Sequence, residues 1–204
     1  MICADPFLQN WPLSGTVVIF DLEITAWEGS HQRMWSEPWE FREFFQLGAV
    51  RYRVCRDGFV EEDSLDLYVR PTKNPILSDY IQNLTGITNE IIQQQGVSCA
   101  AGVRRFSEFV KPGETIYSNG LDGETVRENC LLNNIEYPFS LDQVINIKRA
   151  LAAALNTTEE HAVSSDLPEL VGLSVTPTCK HTALADVQAI GMAINELWRL
   201  GRLP

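Results

Sequence analysis

Five side chains in this sequence have types and spacings suited to chemistry on a charged substrate. Asp21 and Glu23 follow directly on an apolar run in "VVIFDLEITAWEGS" (17–30). In a strand, residues i and i+2 point to one face. The two carboxylates would therefore project side by side, with Leu22 on the opposite face. Carboxylates held close repel unless a proton or a cation lies between them. A hard cation such as Mg²⁺ or Mn²⁺ takes oxygen ligands of this kind. For the pair alone, an acidic strand end where solvent begins is the favoured reading. Asp122 stands in "YSNGLDGETVRENC" (117–130), where a strand turns into a helix. Asp at such a turn is also a favoured N-cap. His181 and Asp186 open "HTALADVQAIGMAINEL" (181–197). A five-residue offset does not put two side chains on one helical face. His181 is therefore expected on the preceding loop, folded back over the site, with a structural role as the alternative to a catalytic one. His31 and His161, the other two histidines, read as solvated loop residues.

Positioning these groups requires a sheet with helices against it. "TVVIF" (16–20) is a buried strand, and "FFQLGAVRYRV" (44–54) and "DSLDLYVRP" (63–71) are expected as the second and third, with "CRDGF" (55–59) turning between them. That pattern makes the first three strands antiparallel. Ser78 is an expected N-cap for a helix over 78–88, and further helices are expected over 89–94 and 99–111. A fourth strand covers 114–119, a helix 123–134, and a short extended piece precedes a helix within 140–156. The clearest helix is 182–200, with apolar residues at 184, 187, 190 and 194. The expected fold is a single α/β domain over 1–204, with its core over about 16–199. Between the first two strands, "AWEGSHQRMWSEPWEFRE" (26–43) is long for a hairpin connection and holds Trp27, Trp35 and Trp39. Those rings either pin the loop to the surface or touch substrate.

Composition narrows the function classes. The 204 residues suffice for one well-cored domain. No apolar run approaches the ~20 residues of a membrane span, so no membrane association is expected. The opening "MICADPFLQNWPLSG" shows no basic segment followed by an apolar core, as a secretory leader would. Cys3, Cys55, Cys99, Cys130 and Cys179 are odd in number and lack CxxC spacing. They argue against a disulfide framework or a zinc site and for a reducing, cytoplasmic location. The formal net charge of −11 argues against a duplex-coating protein. An acidic enzyme could still hold a strand end in a pocket where cations carry the positive charge.

Taken in order, the strand-borne DxE, the turn-borne Asp and the HxxxxD at the last helix resemble the motifs of the DEDDh 3′–5′ exonucleases, a superfamily with the ribonuclease-H-like fold. Asp21 and Glu23 match its first motif, Asp122 its second, and His181 with Asp186 its third. "FFQLGAV" (44–50), "LTGIT" (84–88) and "HTALADVQAI" (181–190) are also similar to family segments, so the resemblance covers about 16–199. "GLDGETVRENC" and "INIKRAL" resemble the Eri-type exoribonuclease branch more than the proofreading branch. Leu22 and Ile24 stand where proofreading members carry Thr, and the HNxxFD form of the second motif is missing.

The resemblance implies a three-layer fold with a mixed five-stranded sheet between helices. It implies hydrolysis of single-stranded nucleic acid from the 3′ end with two divalent cations, Mg²⁺ or Mn²⁺, and RNA preferred over DNA. Asp21 would bridge both metals, Glu23 and Asp186 would complete the nucleophile-side site, and Asp122 would hold the second ion. His181 would be the general base. The backbone at Leu22 and Ile24 would lie near the terminal sugar, with Leu84 and Thr85 of LTGIT at the terminal base; core packing is the alternative for Leu84. Ligands would be an RNA or DNA 3′ end or the nucleoside monophosphate product. A homodimer and a monomer both stay open. A second reading keeps the fold and loses the activity, leaving a nucleic-acid-end binding or adaptor domain.

Overall fold

The structure, a computed structural model, describes residues 12, 14–140, 142–174 and 181–203. Cys3 and Cys179 lie outside the described residues. Five strands are β1 (Gly15–Ile24), β2 (Phe44–Cys55), β3 (Gly58–Tyr68), β4 (Thr115–Ser118) and β5 (Val144–Asn146). Seven α-helices accompany them among the described residues: α1 (Asp79–Thr85), α2 (Asn89–Gln95), α3 (Cys99–Phe109), α4 (Asp122–Leu132), α5 (Lys148–Leu155), α6 (Leu167–Leu170) and α7 (Ala183–Arg199). A 3₁₀ turn at Ser164–Asp166 leads into α6. The sheet order is β3-β2-β1-β4-β5. β1, β2 and β3 pair antiparallel, whereas β4 and β5 add parallel strands. This is the mixed five-stranded sheet of the ribonuclease-H-like fold.

β1 is central and covered on both faces, which is why "VVIF" is continuously apolar instead of alternating. Val17 and Ile19 pack with Leu151, Leu167, Val187, Ile190 and Ile194, from α5, α6 and α7. Val18, Phe20 and Leu22 face the other way, against Val103 and Phe106 of α3 and Val126 and Cys130 of α4. A smaller core of Phe45, Leu77, Ile81, Ile87 and Ile92 seats α1 and α2 beside the start of β2.

The boundaries differ from the sequence expectation in two informative places. β1 runs past Phe20 to Ile24, because β2 pairs along it as far as Ile24↔Phe44. Asp21 and Glu23 are therefore inside the strand and not beyond its end. β3 begins at Gly58, since the hairpin needs only Arg56 and Asp57 to turn, with Gly58 at φ 120°. Its outer residues Glu61, Glu62, Asp63 and Ser64 are exposed, as suits an edge strand, and lack apolar alternation.

Candidate active site

The alternation of β1 carries Asp21 and Glu23 onto the face of Val17 and Ile19, toward α7. Pairing of β1 with β4 stops at Ile19↔Tyr117. Beyond that point β4 veers through Asn119 and Gly120 into α4, leaving a crevice at the carboxyl end of the parallel pair. Ligands in open α/β sheets sit in crevices of this kind. α7 brings Asp186 from its first turn to the same place. Oxygen atoms of Asp21, Glu23 and Asp186 lie within 4.8 Å of one another. Each of the three residues is only 9 % exposed.

Such a cluster is electrostatically costly without something positive in it. Burial pushes the Asp21 carboxyl well above its usual range, and the charges of Asp122, Asp186 and Glu23 push further. Burial, then Asp186 and Asp122, raises Glu23 to about 8. Asp186 rises to about 6 through burial, Asp166 and Asp122. Asp122 is half-buried at the first position of α4, with Leu121 at the N-cap and no side-chain cap bond there. Burial raises it to about 6, while a hydrogen bond from its own backbone N–H, then Lys148 and Arg42, pull the other way. Asp122 stands apart from the close triplet yet acts on all three of its members.

His181 is half-buried and sits one residue before Thr182, the N-cap of α7, on the loop expected for it. Its φ of 61° is in the left-handed region. A non-glycine residue held there costs ~1–3 kcal/mol, and such residues cluster at functional sites.

The four residues read as substrate contacts fall into two groups. Leu84, on the last turn of α1, is 40 % exposed and so is not a core residue. Ile24 is half-buried. Leu22 is packed in the α3–α4 core, which leaves only its backbone for a ligand. Thr85 is buried and its hydroxyl is engaged, donating to the Ile81 carbonyl at 2.8 Å and accepting the Ile87 N–H at 3.1 Å.

The Trp-rich loop is a built structure. Trp35 Nε1–H donates to the Thr25 carbonyl at 2.8 Å, and Trp27 meets Trp39 edge-on at 4.8 Å. Glu40, with its side chain fully buried, pairs with Arg33 and accepts the Ser30 hydroxyl at 2.7 Å. Met34 and Phe41 remain exposed. With Trp35, Arg42, Leu121 and Leu132 they line a groove of about 500 Å³ between the loop and α4, starting beside Asp122.

Two polar residues at the site gave no signal in the sequence. Ser164 Oγ donates to Asp21 Oδ1 at 3.5 Å, and Asn119 Nδ2 donates to Ser164 Oγ at 3.0 Å and to the Ala162 carbonyl at 2.9 Å. Asn119 Oδ1 is buried without a hydrogen-bond partner. "NTTEEHAVSSD" (156–166) carries no periodicity or motif that would mark Ser164.

Three acidic residues converging at the carboxyl end of a ribonuclease-H-like sheet, with a fourth acting on them, define a nuclease-type architecture. The family model described as "Exonuclease" (RNase_T) matches residues 18–193, and the chain belongs to that family. It is 27 % identical over 128 residues to the probable 3′-5′ exonuclease KapD of Bacillus subtilis (strain 168), covering 62 % of this chain and 58 % of that protein. The chain thus spans little more than half the length of this curated relative. Among solved structures, the nuclease domain of 3′hExo, a DEDDh family member bound to rAMP, superposes with a TM-score of 0.75 at 21 % identity, covering 94 % of this chain and 96 % of that one. A 3′-exonuclease described in 3′-end-specific recognition of a histone mRNA stem-loop gives 0.73 at 21 % identity, covering 97 % and 70 %. The DEDDh resemblance read from the motifs agrees with these matches, which do not separate its branches.

Proposed function

We propose that this chain is a 3′–5′ exonuclease. It removes nucleoside monophosphates one at a time from the 3′ end of single-stranded nucleic acid, RNA in preference to DNA. The observation that carries this reading is the convergence of the Asp21, Glu23 and Asp186 oxygens within 4.8 Å, with Asp122 acting on all three. Membership of the exonuclease family supports it.

The residues fit a divalent-metal centre. They are hard oxygen donors, they are buried, and burial with mutual repulsion raises their proton affinities, which favours a positive charge between them. Asp21, Glu23 and Asp186 would hold one ion, and Asp122 with Asp21 a second; Mg²⁺ suits the site and Mn²⁺ can replace it. When bound, two such ions would supply Lewis-acid stabilisation of the leaving 3′ oxygen and ease ionisation of the attacking water. His181 accepts the proton of that water on a ring nitrogen. The exposed Leu84 lies against the terminal base, a contact that needs no sequence reading. The backbone at Leu22 and Ile24 borders the terminal sugar, and Thr85 fixes the end of α1 behind Leu84. Upstream bases pass over the groove between the Trp-rich loop and α4. The chain acts as one domain over 1–204, with its core over about 16–199. The reducing cytoplasm is its proposed location, supported by the free thiols of Cys55, Cys99 and Cys130.

A cleavage time course on 5′-labelled single-stranded RNA and DNA tests the reading, with Mg²⁺, Mn²⁺ or EDTA present. The expected result is a ladder shortening from the 3′ end, faster on RNA and absent in EDTA. Folded protein that leaves both strands intact in Mn²⁺ would refute the activity. Equal cleavage in EDTA would refute the metal assignment.

A further inference from the structure

α7 carries Asp186, and His181 lies at its mouth, yet this helix has no capping side chain of its own. Thr182 occupies the N-cap without a side-chain hydrogen bond. The missing acceptor comes from the sheet. Gln46 Oε1, on β2, accepts the Ala183 N–H at 3.0 Å in a buried setting. The other end of the same amide is also held, since Gln46 Nε2 donates to Asp66 Oδ1 on β3 at 2.8 Å. An amide has one acceptor end and one donor end. Asp66, by taking the donor, aims the carbonyl at the helix.

Two residues along β2, on the same face, stands Gly48. A Cβ there would lie 2.2 Å from Leu184 N and 2.4 Å from the carbonyl carbon of Ala183. Both are backbone atoms, so the first turn of α7 rests directly on β2 and only glycine permits it. The register completes the picture. Gln46 is the cross-strand partner of Glu23, and Gly48 that of Asp21. The two residues that seat α7 are therefore the immediate neighbours of the two carboxylates that Asp186 must meet.

We propose that Gln46, oriented by Asp66 and assisted by the close approach at Gly48, is a positioning residue of the metal centre. It sets the height and rotation of the first turn of α7, and through them the spacing of Asp186 from Asp21 and Glu23. This rests on the metal-centre reading above. Groups that orient metal ligands without touching the metal cost ~10–100-fold in affinity or activity when lost. A general helix-stabilising role would lower thermal stability alone.

The test measures Mn²⁺ binding without substrate, by calorimetry or electron paramagnetic resonance. It adds kcat and KM on a labelled single-stranded RNA and thermal melting for wild type, Gln46→Leu, Asp66→Ala and Asp66→Asn. Asp66 is on an exposed edge strand, so its replacement leaves folding intact where Gln46→Leu destabilises the protein. The expected result for Gln46→Leu is Mn²⁺ affinity weakened ~10-fold or more, and kcat down ~10–100-fold with KM within a few-fold. Asp66→Ala shows a smaller loss of the same kind, and Asp66→Asn, which keeps an acceptor for Gln46, recovers it. Wild-type Mn²⁺ affinity and kcat in folded Gln46→Leu and Asp66→Ala would overturn the proposal, whatever their melting temperatures. If wild type itself neither binds Mn²⁺ nor cleaves, the metal-centre reading fails and takes this role with it. If wild type binds and cleaves, the variants decide the positioning role alone.

Discussion

At the scale of single residues, the carboxylate cluster makes stability depend on pH in a direction that can be worked out. In the unfolded chain, Glu23 and Asp186 release their protons near their ordinary values of 4.5 and 3.8. In the metal-free fold they hold them to about 8 and about 6. The folded state therefore binds more protons through this interval, and stability falls as pH rises through it. The stabilising contribution is fully present below the unfolded values and is gone above pH 8. A divalent cation removes the dependence by standing where the protons stood. Melting curves in EDTA are expected to shift down between pH 5 and pH 8 and to flatten when Mn²⁺ is added. At a hundredfold excess over its Kd, the ion adds about 2.7 kcal/mol, or ~5–10 °C for a chain of this size. Asp186→Asn is expected to shrink both the pH slope and the Mn²⁺ gain, and to abolish hydrolysis. A flat profile in EDTA would contradict the like-charge cluster.

At the scale of elements, much was legible in the sequence because local pattern and tertiary environment agree. "TVVIF" is apolar throughout since β1 is covered on both faces. The spacing of Val187, Ile190 and Ile194 fits one buried face of α7. The charged outer run of β3 was hidden because an edge strand keeps only one side in the core. Ser164 and Gln46 were hidden for another reason: their partners Asp21 and Ala183 lie 143 and 137 residues away, and no local periodicity encodes such a distance. Ser78 shows the opposite case, a local signal with a distant consequence. It caps α1 by accepting the Ile81 N–H at 3.2 Å, and its hydroxyl also donates to the Ala26 carbonyl at 2.5 Å. The cap thus ties α1, and Leu84 with it, to the segment that leaves β1. Ser78→Ala is expected to cost ~1 kcal/mol, lowering the melting temperature by ~2–4 °C. It should raise KM for single-stranded oligonucleotides more than it lowers kcat. A fall in kcat at constant KM would argue that α1 does not border the substrate.

At the scale of the whole molecule, a net charge of −11 must be reconciled with the polyanionic substrate proposed above. Among the described residues, Arg42 and Lys148 are the side-chain cations that act on Asp122. Binding to a single strand depends on salt with a log–log slope of about −0.7 for each phosphate neutralised. With those two cations engaged, the slope of kcat/KM against salt at fixed Mn²⁺ is expected to be about −1.4. A slope beyond about −3 would mean that a basic track elsewhere carries the strand. The acidic balance has a further consequence at the outer border of the sheet. β3 is the edge strand: Asn195 takes the N–H and C=O of Phe59 and the Val97 N–H donates to the Tyr68 carbonyl, and the row of residues between these two points is a template on which another extended chain could grow into a ribbon. Glu61, Glu62 and Asp63 stand along that row, and the register slips between Arg51 and Tyr52, so that Glu62 has no partner across the ladder. A second copy laid edge to edge would bring these charges against their own image and meet a kinked strand. Edge-to-edge growth of that kind is what this charged, kinked border opposes.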